Sequence, residues 1–159
     1  MTWILNFTVH GEARPAGSKR AFALRRRDGT LVTRPGGAPV INVTDDNPKS
    51  KDWKGTVAWA AREAVGSGFA LLHGPLVVTF SFYRTRPKGH LKPDGLLAKS
   101  GRDNPYPTTK PDVLKLARGA EDALTGVLWR DDAQIVKETL EKNYGNWARL
   151  EVTVEALDG

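Results

Sequence analysis

Cysteine is absent from this 159-residue chain. That excludes a disulfide scaffold, thiol catalysis and any cysteine-ligated zinc or iron–sulfur centre. Histidine is scarce: His10, His73 and His90 stand far apart, with no metal-ligand spacing. No stretch approaches the roughly eighteen consecutive apolar residues of a membrane span, so no membrane partner is expected. The common site signatures are also missing. There is no phosphate loop, no dinucleotide glycine fingerprint after a strand, no nucleophile elbow and no zinc-protease helix motif. Gly17-Ser18-Lys19 resembles the tail of a phosphate loop but lacks its earlier glycine. No repeat, low-complexity tract or composition break divides the chain, so a single domain over residues 1–159 is expected. The opening residues carry neither a basic leader nor a small-residue cleavage site. The expected location is therefore the cytoplasm of a bacterial host cell.

What the chain does have is charge, unevenly spread. Apolar residues make up 40% and charged residues 26%, a globular rather than disordered balance. The net charge is +6. Residues 1–118 hold 20 basic against 9 acidic side chains, and residues 119–159 hold 4 against 9. A basic body joined to an acidic segment points to a polyanionic partner and to a place where carboxylates are needed.

Local patterns give the elements. Trp3, Leu5, Phe7 and Val9 alternate with polar neighbours and predict an opening strand. Residues 11–39 are rich in Gly, Pro and Arg, with a hairpin expected at Asp28-Gly29 and a short strand at Val40–Val43. Asp45-Asp46-Asn47-Pro48 marks a helix start, and Gly66-Ser67-Gly68 its end. Trp53, Val57, Ala60, Ala61, Ala64 and Val65 define its buried face. A strand follows at 76–83. Residues 84–110 form a loop too long for an idle connection. A second helix runs from about Pro111 to Thr125, then a strand of undetermined facing from Gln134 to about Lys142, then a closing strand around Leu150, Val152 and Val154. The expected fold is α+β: one small domain, two helices on a mixed or antiparallel sheet.

The second helix carries the most information. At 100° per residue, Val113, Leu116, Ala120, Ala123, Leu124 and Val127 share one side. Leu114, Arg118, Glu121 and Thr125 share the other, and Leu114 is its one apolar member. Asp112 stands at the helix start, where an acid serves as a cap or first-turn anion. Trp129-Arg130-Asp131-Asp132-Ala133-Gln134 follows the helix. Adjacent aspartates in a turn are usually turn formers. Near a phosphodiester, however, carboxylates repel unless a divalent cation lies between them.

Lys110-Pro111-Asp112-Val113-Leu114-Lys115-Leu116-Ala117-Arg118, Asp122-Ala123-Leu124-Thr125-Gly126, Trp129-Arg130-Asp131-Asp132-Ala133-Gln134-Ile135 and the later Lys142 resemble the RusA family of Holliday junction resolvases. The resemblance implies a homodimer that cuts four-way DNA junctions with Mg²⁺, Mn²⁺ being a possible substitute, and it suggests a phage-borne or prophage-borne protein. Asp112 and Asp132 match the family's catalytic aspartates. Arg118 stands where the family has a catalytic lysine; it keeps the charge but cannot move a proton near neutral pH. Leu114 replaces the family's second acid. The implied catalytic set is Asp112, Asp132 and Arg118, with metal ligands sought among Asp112, Asp132, Asp131 and Glu121.

Expected phosphate contacts are Lys19, Arg20, Arg25, Arg26, Arg27, Lys110, Lys115 and Lys142, with Arg34 and the basic residues of the long loop beside them. Trp3, Trp53, Trp59 and Trp147 are expected as core or dimer contacts, and Trp129 as core or base platform. Two alternatives stand beside the nuclease. One is a catalytically weak or inactive protein that binds DNA junctions or duplexes on the same fold. The other is a basic structural module of a virion or replication complex.

Overall fold

The computed structural model describes residues 2–17, 19–45 and 48–158. Its body is a four-stranded mixed sheet. The strands are β1 (Trp3–His10), β4 (Leu76–Thr85), β5 (Ile135–Gly145) and β6 (Arg149–Ala156), in the order β1-β6-β4-β5. β6 runs antiparallel to both β1 and β4, whereas β5 pairs with β4 in parallel. Alternation puts Val9, Leu76, Val78, Phe80, Phe82, Leu150, Val152 and Val154 on one face, all buried. Helices α1 (Pro48–Val65) and α3 (Val113–Leu124) cover that face and complete the core with Trp53, Val57, Leu116, Ala120 and Leu124.

The α+β architecture and mixed sheet agree with the sequence pattern, and several details correct it. Among the described residues there are three α-helices rather than two. The third, α2 (Lys99–Asp103), is a five-residue helix inside the long loop, too short to show periodicity. Ala64 is exposed because the buried stripe of α1 narrows to Trp53, Val57 and Ala61. Among the tryptophans only Trp53 and Trp129 are buried; Trp3, Trp59 and Trp147 reach solvent. Asp46 and Asn47, expected to open α1, lie outside the described residues, as does Ser18.

Strands β2 (Lys19–Ala23) and β3 (Ile41–Asp45) form a separate antiparallel ribbon. Beyond it the chain makes the expected Asp28-Gly29 turn. Gly29 takes a φ of 87°, open to a residue without Cβ, and the Asp28 carboxylate accepts from the Thr30 amide at 2.9 Å. The ribbon and its tip are largely exposed, with Phe22, Leu31, Ile41 and Val43 on the surface beside Arg20, Arg25, Arg26 and Arg27.

Candidate active site along helix α3

Helix α3 opens at Asp112, whose extended backbone (φ −68°, ψ 142°) makes it the N-cap residue. Its side chain makes no capping hydrogen bond, so the carboxylate remains available for another task. Two cations fasten the chain just before it. Arg84 donates to the Lys110 carbonyl at 2.9 Å. Lys142 Nζ donates to the carbonyls of Thr109 and Pro111 at 2.8 and 3.1 Å. Burial, and secondarily the Arg84 charge, lower the Lys142 pKa from the usual lysine range, while Asp112 opposes the shift. Lys142 is thus a strut for the loop rather than the free phosphate contact its charge suggested.

Midway, the helix is crossed by the segment that follows β1. The Ala16 amide donates to the Lys115 carbonyl at 3.0 Å. Gly119 allows the crossing, since a Cβ there would come within 3.2 Å of the Arg14 carbonyl oxygen. The helix face predicted to be polar is open: Leu114 is 61% exposed, and Lys115 and Arg118 are also on the surface.

The far end gathers carboxylates. Thr125 closes the helix, and its hydroxyl donates to Asp132 Oδ1. The buried Trp129 indole N–H donates to the same oxygen at 3.0 Å. Two donors fix Asp132 through Oδ1, and Oδ2 accepts no hydrogen bond from another described residue. Glu121, half-buried one turn before Thr125, lies beside both Asp132 and Glu138. Its carboxyl is pushed up to about 8, first by burial, then by the hydrogen bond and charge of Glu138, then by the charges of Asp132 and Asp122. Glu138 Oε1 is buried and finds no donor among the described residues. Asp122, the neighbouring acid, is paired with Lys54 at 3.0 Å.

Several sequence-derived assignments change here. Asp112 and Asp132 stand at opposite ends of α3 and do not meet within the chain. Thirteen residues of helix separate Asp112 from Thr125, roughly 20 Å of rise, more than two aspartate side chains can span around one ion. Asp131, sought as a ligand, has one oxygen engaged in its own turn. Its carboxylate caps the turn after the helix, accepting from the Ala133 amide at 2.8 Å, and Gln134 closes the capping box. Arg25 and Arg26 each spend one N–H on a carbonyl of their own turn, Gly29 and Leu31 respectively. Arg20, Arg27, Lys110 and Lys115 are exposed. The side chain of Lys19 lies outside the described residues.

Glu138 is the residue that sequence reasoning missed. It pairs with Val78 in the parallel ladder, and Lys142 pairs with Phe82, so both project from β5 on the helix side of the sheet. Had the facing of this strand been readable, the i, i+4 pair Glu138 and Lys142 would have stood out.

Among the described residues no three carboxylate or imidazole groups close into a ready-made metal cage. Glu121 and Glu138 are in hydrogen-bonding contact, and Asp132 is near enough for its charge to act on Glu121. Mg²⁺ keeps several waters and takes one or two carboxylates together with substrate phosphate, so it does not require a closed protein cage.

Comparison with known proteins adds two findings. The family described as "Endodeoxyribonuclease RusA" matches residues 29–155. A Bacillus subtilis (strain 168) protein described as "Uncharacterized protein YqaN" is 30% identical over 157 residues, covering 96% of each chain.

Proposed function

The chain belongs to the RusA endodeoxyribonuclease family, and from that premise we propose that it resolves four-way DNA junctions by Mg²⁺-dependent phosphodiester hydrolysis. The observation that carries the reading is the convergence of Glu121, Glu138 and Asp132 from a helix, a strand and a turn in an otherwise basic chain. Like charges forced together need a proton or a cation between them. Asp132, Glu121 and Glu138 would hold the metal, with Mn²⁺ an acceptable substitute. When bound, the metal supplies an acidified water and neutralises charge on the phosphate.

The side chains do the rest. Thr125 and Trp129 hold Asp132 through one carboxylate oxygen, which leaves the other for a ligand. Arg118, exposed on the same helix face, contacts the scissile phosphate and offsets its developing charge. The exposed Lys110, Lys115, Arg20 and Arg27 bind the backbone of the junction arms. The long loop places Asp112 at the opposite end of α3 from the carboxylate cluster.

That separation supports a homodimer with a shared site. The two ends of α3 carry opposite charge: Arg84, Lys110 and Lys142 at one, Glu121, Asp132 and Glu138 at the other. Two antiparallel helices related by a two-fold axis would set the Asp112 end of each protomer against the carboxylate end of its partner. A two-fold pair of sites also matches a junction with two equivalent strands to cut.

One observation favours a second reading, a DNA-junction or duplex-binding protein that cuts poorly or not at all. The position of the family's second acid is an exposed leucine, Leu114. The test is cleavage of a synthetic four-way junction with and without Mg²⁺, alongside Asp132→Asn. Metal-dependent paired cuts lost in the variant support the nuclease; salt-sensitive binding without cleavage supports the alternative.

A further inference from the structure

The far end of β5 carries a site that the cleavage reading does not use. Tyr144 lies two residues beyond Lys142 and projects from the same face of the strand, about 7 Å further along. A cavity of about 290 Å³ opens beside it, lined by Thr85, Arg86, Leu91, Tyr144 and Asn146. That volume lies near the lower end for small-ligand sites.

The walls are fixed in advance. The Arg86 guanidinium lies over the Tyr144 ring, 4.5 Å from its centroid. It is held there by donating to the carbonyls of Gly101 and Asn104, both at 3.1 Å. The His90 ring meets Tyr144 edge-on, with centroids 5.6 Å apart. Helix α2 supports this arrangement, since the Ala98 amide donates to the His90 carbonyl at 3.0 Å and Ser100 Oγ to the Gly89 carbonyl at 2.6 Å. Gly101 permits the packing, because a Cβ there would come within 2.4 Å of the His90 carbonyl oxygen.

We propose that this cavity takes one unpaired nucleobase of the bound DNA, a proposal that rests on the reading of the chain as a branched-DNA protein. An aromatic ring and a guanidinium plane are the surfaces on which splayed bases stack. Thr85 and Asn146 bring a hydroxyl and an amide able to pair with a base edge, and neither side chain is hydrogen-bonded to another described residue. Leu91 closes the apolar side. The strand that supplies Tyr144 also supplies Lys142, which fastens the chain at Asp112, so a base held here lies beside the Asp112 end of the site. A base at the crossover of a branch point has an interrupted stack beside it and is splayed out at lower cost than a base inside a linear duplex. The cavity would therefore contribute selection for structure rather than for sequence.

The test uses the full-length protein in EDTA with four-way junctions carrying 5-iodouracil at successive positions around the crossover. Irradiation should cross-link one such base to Tyr144, located by peptide mass spectrometry, and should not do so in a linear duplex. Tyr144→Leu should lower junction affinity about tenfold and leave duplex affinity unchanged; Tyr144→Phe, which keeps the ring, should retain junction affinity. A variant that had merely unfolded would lose both DNAs. Junction binding with no cross-link at the cavity from any position, or with Tyr144→Leu at full affinity, overturns the proposal and leaves the nuclease reading intact. Failure of the wild-type protein to bind the junction overturns both.

Discussion

The two ends of helix α3 are built on opposite principles. At the Asp112 end, cations are spent on backbone: Lys142 and Arg84 hold three carbonyls of Thr109, Lys110 and Pro111, and the acid itself makes no capping bond. At the Glu121 end, acids press on one another: Glu121 and Glu138 share a hydrogen bond, Asp122 is paired with Lys54, and Asp132 accepts from Thr125 and Trp129. The first end is complete as it stands. The second is electrostatically incomplete, with a buried carboxylate oxygen that lacks a donor among the described residues and a glutamic acid whose proton is retained past neutrality. An ion-binding function would belong where charge is unbalanced, which on the proposed reading is the C-terminal end.

The largest test of that contrast is Asp132→Asn. The amide oxygen can still accept from Thr125 and Trp129, so the turn should keep its geometry while a charge is lost. Junction cleavage should fall by more than about 100-fold, beyond what outer-shell changes around metals cause. Junction affinity, measured by gel shift in EDTA, should hold or rise.

Mixing Asp112→Asn with Asp132→Asn protomers sharpens the comparison further. Each variant alone should be inactive. In the mixture about half of the dimers are heterodimers, and each regains one intact site if the two aspartates come from different protomers. Nicking of one strand should return to about a quarter of the wild-type number of cuts. No recovery, in a mixture shown to have exchanged subunits, would place Asp112 and Asp132 in independent roles.

How much of this contrast was legible in the sequence differs between the two ends. The amphipathic pattern of α3 was strong: Leu116, Ala120, Ala123 and Leu124 are buried as projected, and Leu114 and Arg118 are exposed. The turn expected at Trp129–Asp132 also follows the helix. Two things could not be read. The helix-facing side of β5 is itself polar, with Glu138, Leu140, Lys142 and Tyr144 in alternation, so no apolar period revealed which way the strand faced. Which residues share a site also depends on distance along a rigid helix. Asp112 and Asp132 belong to one motif in sequence and to opposite ends of α3 in space.

A smaller effect concerns pH. Glu121 holds its proton up to about 8 in the folded state, whereas an unfolded glutamate releases it near 4.5. Between those values the native state binds more protons than the unfolded one, so stability must fall as pH rises across that window. Because the group is partly solvated, the expected loss is modest, a few degrees in Tm for a domain of this size. Thermal melts in EDTA from pH 5 to 8.5 should show the decline, Glu121→Gln should flatten it, and Mg²⁺ should restore Tm most strongly at the alkaline end. A flat wild-type profile would mean that the carboxylates are not crowded in solution.

The smallest expected effect on stability is that of Leu114→Asp. The side chain is 61% exposed, so denaturant unfolding should change by no more than about 0.5 kcal/mol. A loss of several kcal/mol would show that Leu114 is covered, by a second protomer or otherwise. Cleavage by the same variant tells whether an acid near Asp112 still adds to a site centred at the other end of the helix.

The central claim, that a divalent ion at the crowded end of α3 drives junction cleavage, is tested most directly by titrating Mg²⁺ against cutting of a four-way junction by the wild-type chain. The account predicts no cuts in EDTA, paired symmetrical cuts with saturable Mg²⁺ dependence, and loss of that response in Asp132→Asn. Tight junction binding without cuts, in either Mg²⁺ or Mn²⁺ from pH 6 to 9, would contradict it and make the chain a binding protein on a nuclease fold.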